Sequence, residues 1–457
     1  MSVNTKKKIN LLSIAPAKLI VLSFLALILV GSLLLTLPIS SRSGNWTPYV
    51  DALFTATSAS CITGLVIYDT FKYWSLFGQL IILVLIQVGA LGIVTLATYF
   101  SILLGKRVGL KGMILAQESI NLFRFDEALK LIKKIVSATL IIELIGAILL
   151  SINFVPMYGS IGFYLGIFHS ISAFSNSGFD IMSSVENGNF VSMTTMNDNP
   201  LVLYTISSLL VIGGLGFTVW RDIYEYRKNK RLLFHTKLVL VISATLLIIG
   251  ALFTFANEFS NPKTLAILSL PEKINASIFH SAATRTAGFY SLPVSEMHEI
   301  TKVFTIFLMF IGAAPGSTGG GIKVTTIGVL FFAIIAQVRG SQEVVLFKKK
   351  VHQNIINKAL AITGLSAIII GTIATIILAI EPDFKFIDVL YEATSAFGTA
   401  GLSLDLTPML STGSKILILI AMFLGRVGPL SFAVALTIKA THRSSDIVYP
   451  EAKIIVG

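Results

Sequence analysis

Four short stretches of the sequence share one arrangement of residues: an aromatic side chain, a run rich in Ser, Thr and Ala, and then a glycine followed by an apolar residue. The stretches occupy residues 54–65, 168–179, 279–289 and 391–402, and their glycines are Gly64, Gly178, Gly288 and Gly401. These glycines are 114, 110 and 113 residues apart. A spacing that recurs three times with so little variation indicates an internal repeat.

The chemistry open to these stretches is that of the backbone. A stretch of about 10–14 residues is too short to span a membrane and is typical of a re-entrant segment. Irregular backbone at membrane depth is tolerated where it lines a water-filled path or is buried in protein. Glycine permits positive φ, so successive carbonyls can face one way, and four such segments can form rings of oxygens around a dehydrated cation. The predicted filter residues are Ile62, Thr63, Gly64, Asn176, Ser177, Gly178, Thr286, Ala287, Gly288, Thr399, Ala400 and Gly401.

The predicted filter contains no carboxylate. Ca²⁺ and Mg²⁺ require carboxylate oxygens, so rings of carbonyls favour a large monovalent ion. The ion expected is K⁺, and less strongly Na⁺. For any single stretch the alternative is close packing of small residues between helices, but four stretches in register favour the filter.

A second unusual segment, residues 312–321, has five glycines and a proline within ten residues of an apolar run. A helix does not continue cheaply through such a segment, so we expect an irregular loop that lines the path below the third filter segment. The predicted gate comprises Gly312, Ala313, Ala314, Pro315, Gly316, Ser317, Thr318, Gly319, Gly320, Gly321 and Arg426. The alternative is a kinked helix packed against its neighbours.

Arg426 lies at membrane depth, where a charge costs about 2.5–3.5 kcal/mol on insertion scales. We expect it to bind the exposed carbonyls of residues 312–321; the alternative is a buried carboxylate partner. Arg285 is expected behind the filter, paired with Glu392. His169 and His280 occupy matching positions and favour packing over ligand binding, and Cys61 is expected to be inert.

The composition identifies a membrane protein. Of 457 residues, 54% are hydrophobic and 13% are charged, about half the charged fraction of a soluble domain. Eight long apolar segments predict membrane helices: Leu19–Leu37, Leu76–Leu104, Ile132–Phe154, Leu201–Trp220, Leu238–Phe255, Val303–Val338, Ile355–Ile380 and Ile416–Ile438. The single cysteine excludes an internal disulfide and any multi-cysteine metal site.

The net charge of +12 is explained by topology rather than by nucleic-acid binding, because no basic domain lies outside the apolar segments. With the N-terminus inside, 25 Lys and Arg residues fall inside and 7 outside. This asymmetry predicts that both termini are cytoplasmic.

Each unit of the repeat is therefore helix, re-entrant segment, helix. The predicted fold is an all-α membrane protein of eight transmembrane helices, in four parallel helix–pore-loop–helix repeats around a pseudo-fourfold central pore. A glycine pair recurs in the second helix of each unit: Gly89/Gly92, Gly213/Gly216, Gly312/Gly316 and Gly425/Gly428. The expected units are residues 1–105, 106–220, 221–338 with the gating loop, and 339–457. Inverted repeats would instead suggest a rocking transporter.

These motifs resemble those of the Trk/Ktr/HKT superfamily of potassium transporters over essentially the whole chain. The resemblance is carried by Thr63-Gly64-Leu65, Ser175–Phe179, Thr284–Phe289, Thr394–Leu402 and Pro315–Lys323. The lack of extra N-terminal helices is similar to the bacterial Ktr branch, with its KtrB and KtrD membrane subunits.

The resemblance implies a homodimer in which each protomer has its own pore, in the bacterial plasma membrane. It implies K⁺ uptake, often Na⁺-dependent, and control by a cytoplasmic nucleotide-binding ring of the KtrA type. It also implies that residues 312–321 form the gate and that Arg426 contacts them. Gly64 favours K⁺, because relatives that prefer Na⁺ carry serine there. No covalently bound cofactor is expected; the filter holds K⁺, with Na⁺ as a second ion.

Two other functions remain as alternatives. A secondary cation transporter, for Na⁺ or for Na⁺ with K⁺, would show inverted repeats and charged midplane residues. An intramembrane enzyme would need a catalytic dyad, and the sequence contains none that we recognise. The inside loops near residues 105–130, 221–237 and 339–358 offer the docking surface for a regulatory partner, with consecutive Lys348, Lys349 and Lys350, and they also suit anionic lipids.

Overall fold

The computed structural model describes residues 16–103, 128–186, 188, 190–341 and 343–428. Helices make up most of this part of the chain. They are α1 Pro16–Thr36, α2 Tyr49–Cys61, α3 Thr70–Tyr73, α4 Leu76–Leu91, α5 Ile93–Leu103, α6 Ala128–Tyr158, α7 Ile161–Phe174, α8 Pro200–Leu215, α9 Phe217–Asn229, α10 Phe234–Glu258, α11 Leu270–Ala283, α12 Glu299–Phe310, α13 Val324–Val338, α14 Gln353–Ile380, α15 Phe386–Gly398 and α16 Thr412–Val427.

Four of these helices are long and apolar enough to cross a membrane: α10, α14, Lys18–Thr36 in α1 and Ile132–Tyr158 in α6. Pro200–Leu215 and Phe217–Lys228 together make a fifth candidate, bent by 95°. The described chain is thus a mostly helical membrane protein. Length alone identifies fewer spans than the eight apolar segments. Three of the other segments, Leu76–Leu104, Leu201–Trp220 and Val303–Val338, are divided into shorter helices, and part of Ile416–Ile438 lies outside the described residues.

The long helix that follows each re-entrant stretch is broken. α4 ends at Gly92, α8 at Gly216 and α16 at Gly428, with φ of 78°, 90° and 87°. Positive φ cannot continue a right-handed helix. The segments Leu76–Leu104 and Leu201–Trp220, each predicted as a membrane helix, are therefore divided by a glycine with positive φ.

Three of these broken helices begin with a side-chain cap. Ser75 accepts a hydrogen bond from the backbone of Gly78, Asn199 from Val202, and Ser411 from Ser414. Such caps satisfy backbone donors that have no partner inside the helix. The cap at one end and the glycine at the other fix where each helix starts and stops.

The first glycine of each pair allows close packing against a short helix. A Cβ on Gly89, Gly213 or Gly425 would lie 2.1, 2.1 or 1.9 Å from the backbone oxygen of Ser60, Phe174 or Phe397. Each of these oxygens belongs to the residue four positions before a filter glycine. In the third unit, a Cβ on Gly312 would instead meet the backbone oxygen of Gly320 at 2.2 Å.

The only sheet in the described residues is a small hairpin, β1 Val345–Leu346 and β2 Lys349–Lys350. Its turn residues Phe347 and Lys348 both have positive φ, which is typical of the type I′ turn of a two-residue hairpin. Leu346 packs into a core with Leu238 and Ile356, which anchors the hairpin to α10 and α14.

One apolar core joins the two ends of the described chain. Val21, Phe24 and Ile28 of α1 pack in the same cluster as Ile373 and Ile377 of α14. The first and last predicted units are therefore neighbours. Several basic residues counted as inside lie outside the described residues, among them those at 6–8, 106–124 and 439–453.

Candidate functional site: four converging glycine segments

Each short helix α2, α7, α11 and α15 leads into one of the predicted filter segments. Within each segment the glycine has positive φ: 88° at Gly64, 71° at Gly178, 71° at Gly288 and 75° at Gly401. The residue two positions before each glycine also has positive φ: 60° at Ile62, 60° at Asn176, 72° at Thr286 and 51° at Thr399. Alternating positive and negative φ along a strand turns successive carbonyls toward one side.

Backbone hydrogen bonds hold the middle residue of each segment to its helix. Thr63 donates to the oxygen of Ser58 at 2.8 Å, Ser177 to Ser172 at 2.9 Å and Ala400 to Ser395 at 2.8 Å, in each case five residues back. The third segment differs: Ala287 donates to Ala283, four residues back, at 3.1 Å. Its stretch is one residue shorter, since Phe279 and Gly288 are nine residues apart and the corresponding residues elsewhere are ten apart.

The four glycines meet in a closed ring that follows the order of the chain. A Cβ on Gly64 would lie 2.4 Å from the backbone oxygen of Ser177, and one on Gly178 would lie 2.4 Å from the Cα of Gly288. A Cβ on Gly401 would lie 2.7 Å from the Cα of Gly288 and 2.3 Å from the oxygen of Thr63. No side chain fits at these positions without displacing backbone of the neighbouring segment.

A cavity of about 410 Å³ opens directly above this ring. All four glycines line it, together with the residue two positions after each: Val66, Asp180, Tyr290 and Ser403. Further lining residues include Asp405 and, from the second unit, Gly188, Phe190, Val191, Thr194 and Thr195. The cavity is thus lined by two acidic residues, Asp180 and Asp405, although the ring of glycine segments contains none.

Asp180 is the carboxylate nearest in sequence to the ring. Burial raises the pKa of its carboxyl to about 7, and the nearby Asp69 raises the pKa in the same direction. The backbone N–H of Met182, which donates to Asp180 at 3.3 Å, opposes the shift. Asp180 belongs to a connecting segment rather than to a spanning helix.

The glycine-rich segment 312–321 is an irregular loop between α12 and α13. Its base is closed by the backbone N–H of Gly312, which donates to the oxygen of Ile322 at 2.9 Å. Its tip contacts the first residues of two predicted filter segments, Asn176 and Thr399, which do not line the cavity. The backbone of Gly320 donates to Thr399 Oγ1 at 2.9 Å, and Thr318 Oγ1 donates to Asn176 Oδ1 at 3.2 Å.

Two cations bind the carbonyls of this loop. Arg426 donates from Nη1 to the oxygen of Thr318 and from Nη2 to that of Gly89 at 2.6 Å. Lys323 donates to the oxygens of Gly319 at 2.8 Å and Gly320 at 3.3 Å. The expected contact of Arg426 with the loop is present, and no carboxylate pairs with either cation among the described residues. The sequence did not predict this role for Lys323, although the residue ends the motif Pro315–Lys323 that contains most of the loop.

The predicted pair of Arg285 and Glu392 is wrong. Arg285 donates to the backbone oxygen and Oγ of Ser243 on α10, both at 3.1 Å. Glu392 instead accepts hydrogen bonds from Thr407 and Ser403. The terminal nitrogens of the buried Arg285 bind neutral oxygens, which the sequence did not indicate, and its Nε has no hydrogen-bond partner among the described residues.

The two histidines are packing residues, as expected. His169 is buried, its Nδ1 lies 2.8 Å from the backbone oxygen of Leu165, and its ring packs against Phe154. His280 is also buried, with Nε2 3.4 Å from Thr305 Oγ1. Cys61 is fully buried at the end of α2.

The chain is similar to known transport proteins. The family described as TrkH, cation transport protein, matches residues 3–446. The chain is 40% identical over 461 residues to the Ktr system potassium uptake protein B of Bacillus subtilis, and the match covers 100% of each chain. It is 36% identical to the potassium/sodium uptake protein NtpJ of Enterococcus hirae, over 97% of this chain and 98% of that protein.

The fold is also that of a solved structure. The potassium transporter TrkH from Vibrio parahaemolyticus matches with a TM-score of 0.70 at 18% identity. The match covers 94% of this chain and 86% of that one. At this identity the likeness concerns the fold alone.

Proposed function

Because this chain belongs to the TrkH family of cation transport proteins, we propose that it is the K⁺-translocating, channel-like membrane subunit of a bacterial K⁺ uptake system. The observation that carries the proposal is the closed ring of Gly64, Gly178, Gly288 and Gly401. Four backbone segments with the same alternation of φ surround one axis, and none supplies a carboxylate. That arrangement suits a dehydrated monovalent cation. The potassium transport named for the B. subtilis relative supports the same ion.

The proposed architecture has four parallel units and eight membrane crossings around the ring. The unit boundaries are those expected from the sequence: 1–105, 106–220, 221–338 and 339–457. Each broken second helix counts as one crossing, with the break at its glycine. In this proposal both termini are in the cytoplasm and the cavity faces outside, in the bacterial plasma membrane; the charge asymmetry of the sequence supports this orientation.

The loop 312–321 acts in this proposal as the gate. It packs against Asn176 and Thr399, the first residues of two filter segments, on the side opposite the cavity. An ion that leaves the filter toward the cytoplasm meets this loop. The positive charges of Arg426 and Lys323 add an electrostatic barrier to the steric one, because like charges repel strongly where water is scarce.

Regulation and assembly are further parts of the proposal. The printed name of the B. subtilis relative, a Ktr system protein, supports a multi-component system. The partner proposed is a KtrA-like cytoplasmic nucleotide-binding ring, and the assembly is a homodimer surrounded by lipid. Na⁺ dependence is proposed as well, and the potassium/sodium uptake protein NtpJ is a relative for which both ions are named.

The decisive experiment is K⁺ uptake in a host that lacks its own K⁺ uptake systems, with and without Na⁺. The host carrying this protein is expected to grow at low external K⁺, with net K⁺ accumulation. The matched control carries the empty vector. Failure to take up K⁺, with the protein shown to be in the membrane together with its regulatory partner, would overturn the proposal.

A further inference from the structure

The membrane helices enclose a second polar cluster, away from the filter and from the glycine-rich loop. It consists of Gln87 on α4 with Thr139 and Glu143 on α6. Gln87 Nε2 donates to Glu143 Oε2 at 3.2 Å. Glu143 is 5% exposed and Thr139 is 1% exposed, near the middle of the span Ile132–Tyr158. The cluster therefore lies in the low-dielectric part of the protein, between the first and second units.

Three oxygens of this cluster are buried without a hydrogen-bond partner: Gln87 Oε1, Thr139 Oγ1 and Glu143 Oε1. Thr139 and Glu143 are one helical turn apart, so their side chains share a face of α6. Other buried threonines of this protein, such as Thr55 and Thr305, donate to the backbone oxygen four residues back. The hydroxyl of Thr139 makes no such bond, although a helix offers it freely.

The charge of the cluster is also unbalanced. No ion pair of the described residues includes Glu143. An isolated buried carboxylate is strongly unfavourable unless a positive charge or a proton neutralises it. The backbone around Glu143 is held in place, since Ser170 Oγ donates to its carbonyl oxygen at 2.6 Å. A ligand of charge +1 is what the cluster lacks.

We propose that Gln87, Thr139 and Glu143 bind a small monovalent cation, Na⁺, at a site separate from the filter. Carboxylate, amide and hydroxyl oxygens are the ligands that hard cations prefer. A divalent ion would leave excess positive charge and is usually held by several carboxylates. A proton shared between Glu143 and Gln87 would leave the hydroxyl oxygen of Thr139 without a partner, whereas a bound cation is a partner for oxygens of all three kinds.

The site would add an ion-mediated link between α4 and α6, beside the hydrogen bond of Gln87 to Glu143. α4 carries Gly89, whose carbonyl accepts from Arg426, so an ion here is connected through one helix to the gate. Binding of Na⁺ at this site does not depend on the proposed function. Only the effect of that binding on transport rests on the proposed function.

The test is thermal unfolding of the purified full-length protein in detergent as Na⁺ is raised. K⁺ is held at a saturating concentration so that the filter remains filled, and choline replaces Na⁺ as the ionic-strength control. Ligand that binds only the folded state raises Tm with concentration. We expect Na⁺ to raise Tm and choline to have no such effect.

Four variants locate the site. Thr139→Val removes one ligand oxygen at nearly constant shape and should raise the half-saturating Na⁺ concentration about tenfold, as expected for 1.4 kcal/mol. Thr139→Ser keeps the hydroxyl and should stay close to the parent protein. Glu143→Gln should abolish the Na⁺ effect. Thr375→Val, the same change on α14 far from the cluster, should leave it unchanged.

Three results would overturn the inference. The first is that Na⁺ does not raise the Tm of the parent protein more than choline does. The second is a Na⁺ effect that persists in both Thr139→Val and Glu143→Gln, and the third is a Tm that follows pH but not Na⁺. The last would identify a shared proton instead. If K⁺ uptake is normal in any of these cases, the proposed function stands and only the Na⁺ site is lost.

Discussion

Arg426 donates a hydrogen bond from Nη2 to the backbone oxygen of Gly89 at 2.6 Å, across 337 positions of sequence. The same guanidinium binds Thr318 in the glycine-rich loop. One side chain of the last helix therefore ties the loop of the third unit to the broken helix of the first. The loop is held from outside its own unit.

Replacing this arginine should release the loop. Hydrogen bonds to charged groups contribute about 1.5–3 kcal/mol each, and about 1.4 kcal/mol changes a population tenfold. Arg426→Gln is expected to raise K⁺ uptake about tenfold or more and to weaken its dependence on a cytoplasmic regulator. Arg426→Lys, which keeps the charge, should give a smaller rise. Uptake is measured per amount of protein in the membrane; an unchanged rate for Arg426→Gln would show that the contact does not restrain the loop.

Gly64→Ser should reduce selectivity. Its Cβ would lie 2.4 Å from the backbone oxygen of Ser177, so the neighbouring filter segment must move. We expect K⁺ affinity to fall and the ratio of K⁺ to Na⁺ uptake to drop by about tenfold, for a change of about 1.4 kcal/mol in relative binding. Gly159→Ser is the control, because Gly159 also has positive φ (69°) but no atom within 4 Å of its added Cβ. Equal selectivity in the two variants would remove Gly64 from the filter.

Deleting Ala313–Gly320 should open the path. The deletion removes the part of the loop that contacts Asn176 and Thr399, the first residues of two predicted filter segments. K⁺ uptake is expected to rise and to lose regulation. Uptake that vanishes while the protein remains folded in the membrane would make the loop structural.

External pH should alter cation entry through Asp180. Because the pKa of its carboxyl is raised to about 7, the group is neutral below that pH and negative above it. Raising the external pH from 6 to 8 is expected to increase uptake at low K⁺ about twofold, the effect of one charge about 8 Å away in water, or about 0.5 kcal/mol. Asp180→Asn should abolish the increase, while Asp383→Asn, on the connection between α14 and α15, should preserve it. An equal pH response in Asp180→Asn would assign the effect elsewhere.

The basic hairpin should contact the regulatory partner. The helix α13 has 15 residues and joins the gating loop to this hairpin over about 22 Å, at 1.5 Å per residue. Replacing Lys348, Lys349 and Lys350 together by Gln should weaken control by the partner more than membrane insertion. Arg227→Gln with Lys228→Gln in α9 tests whether any loss of inside charge has this effect. Normal partner binding and normal nucleotide response in the triple variant would leave the lysines a topological role only.

The positions of the predicted filter glycines could be read from residue type, because only glycine combines positive φ with close backbone approach at little cost. It did not reveal the positive φ of Ile62, Thr286 and Thr399, since β-branched residues disfavour this conformation. Their conformation is imposed by the fold, through the backbone bonds that hold each segment to its helix.

The differences between expectation and structure have similar physical causes. Gly92 lies inside a continuous apolar run, and a single glycine in such a run does not distinguish a helix break from a glycine tolerated within the helix. Arg285 was assigned to Glu392 because charges were expected to pair, whereas neutral oxygens of Ser243 satisfy its terminal nitrogens. Tertiary contacts decide both cases.

The ring of glycines closes between Gly401 and Gly64, and the core shared by α1 and α14 closes with it. The arrangement of units is therefore circular: each has two neighbours, and no contact of the ring depends on which unit is synthesised first. A circular permutant, cut near residue 230 and rejoined by a linker from the last unit to the first, would keep all four ring contacts. The ring contacts depend on which units are neighbours around the axis and do not depend on which unit comes first in the sequence.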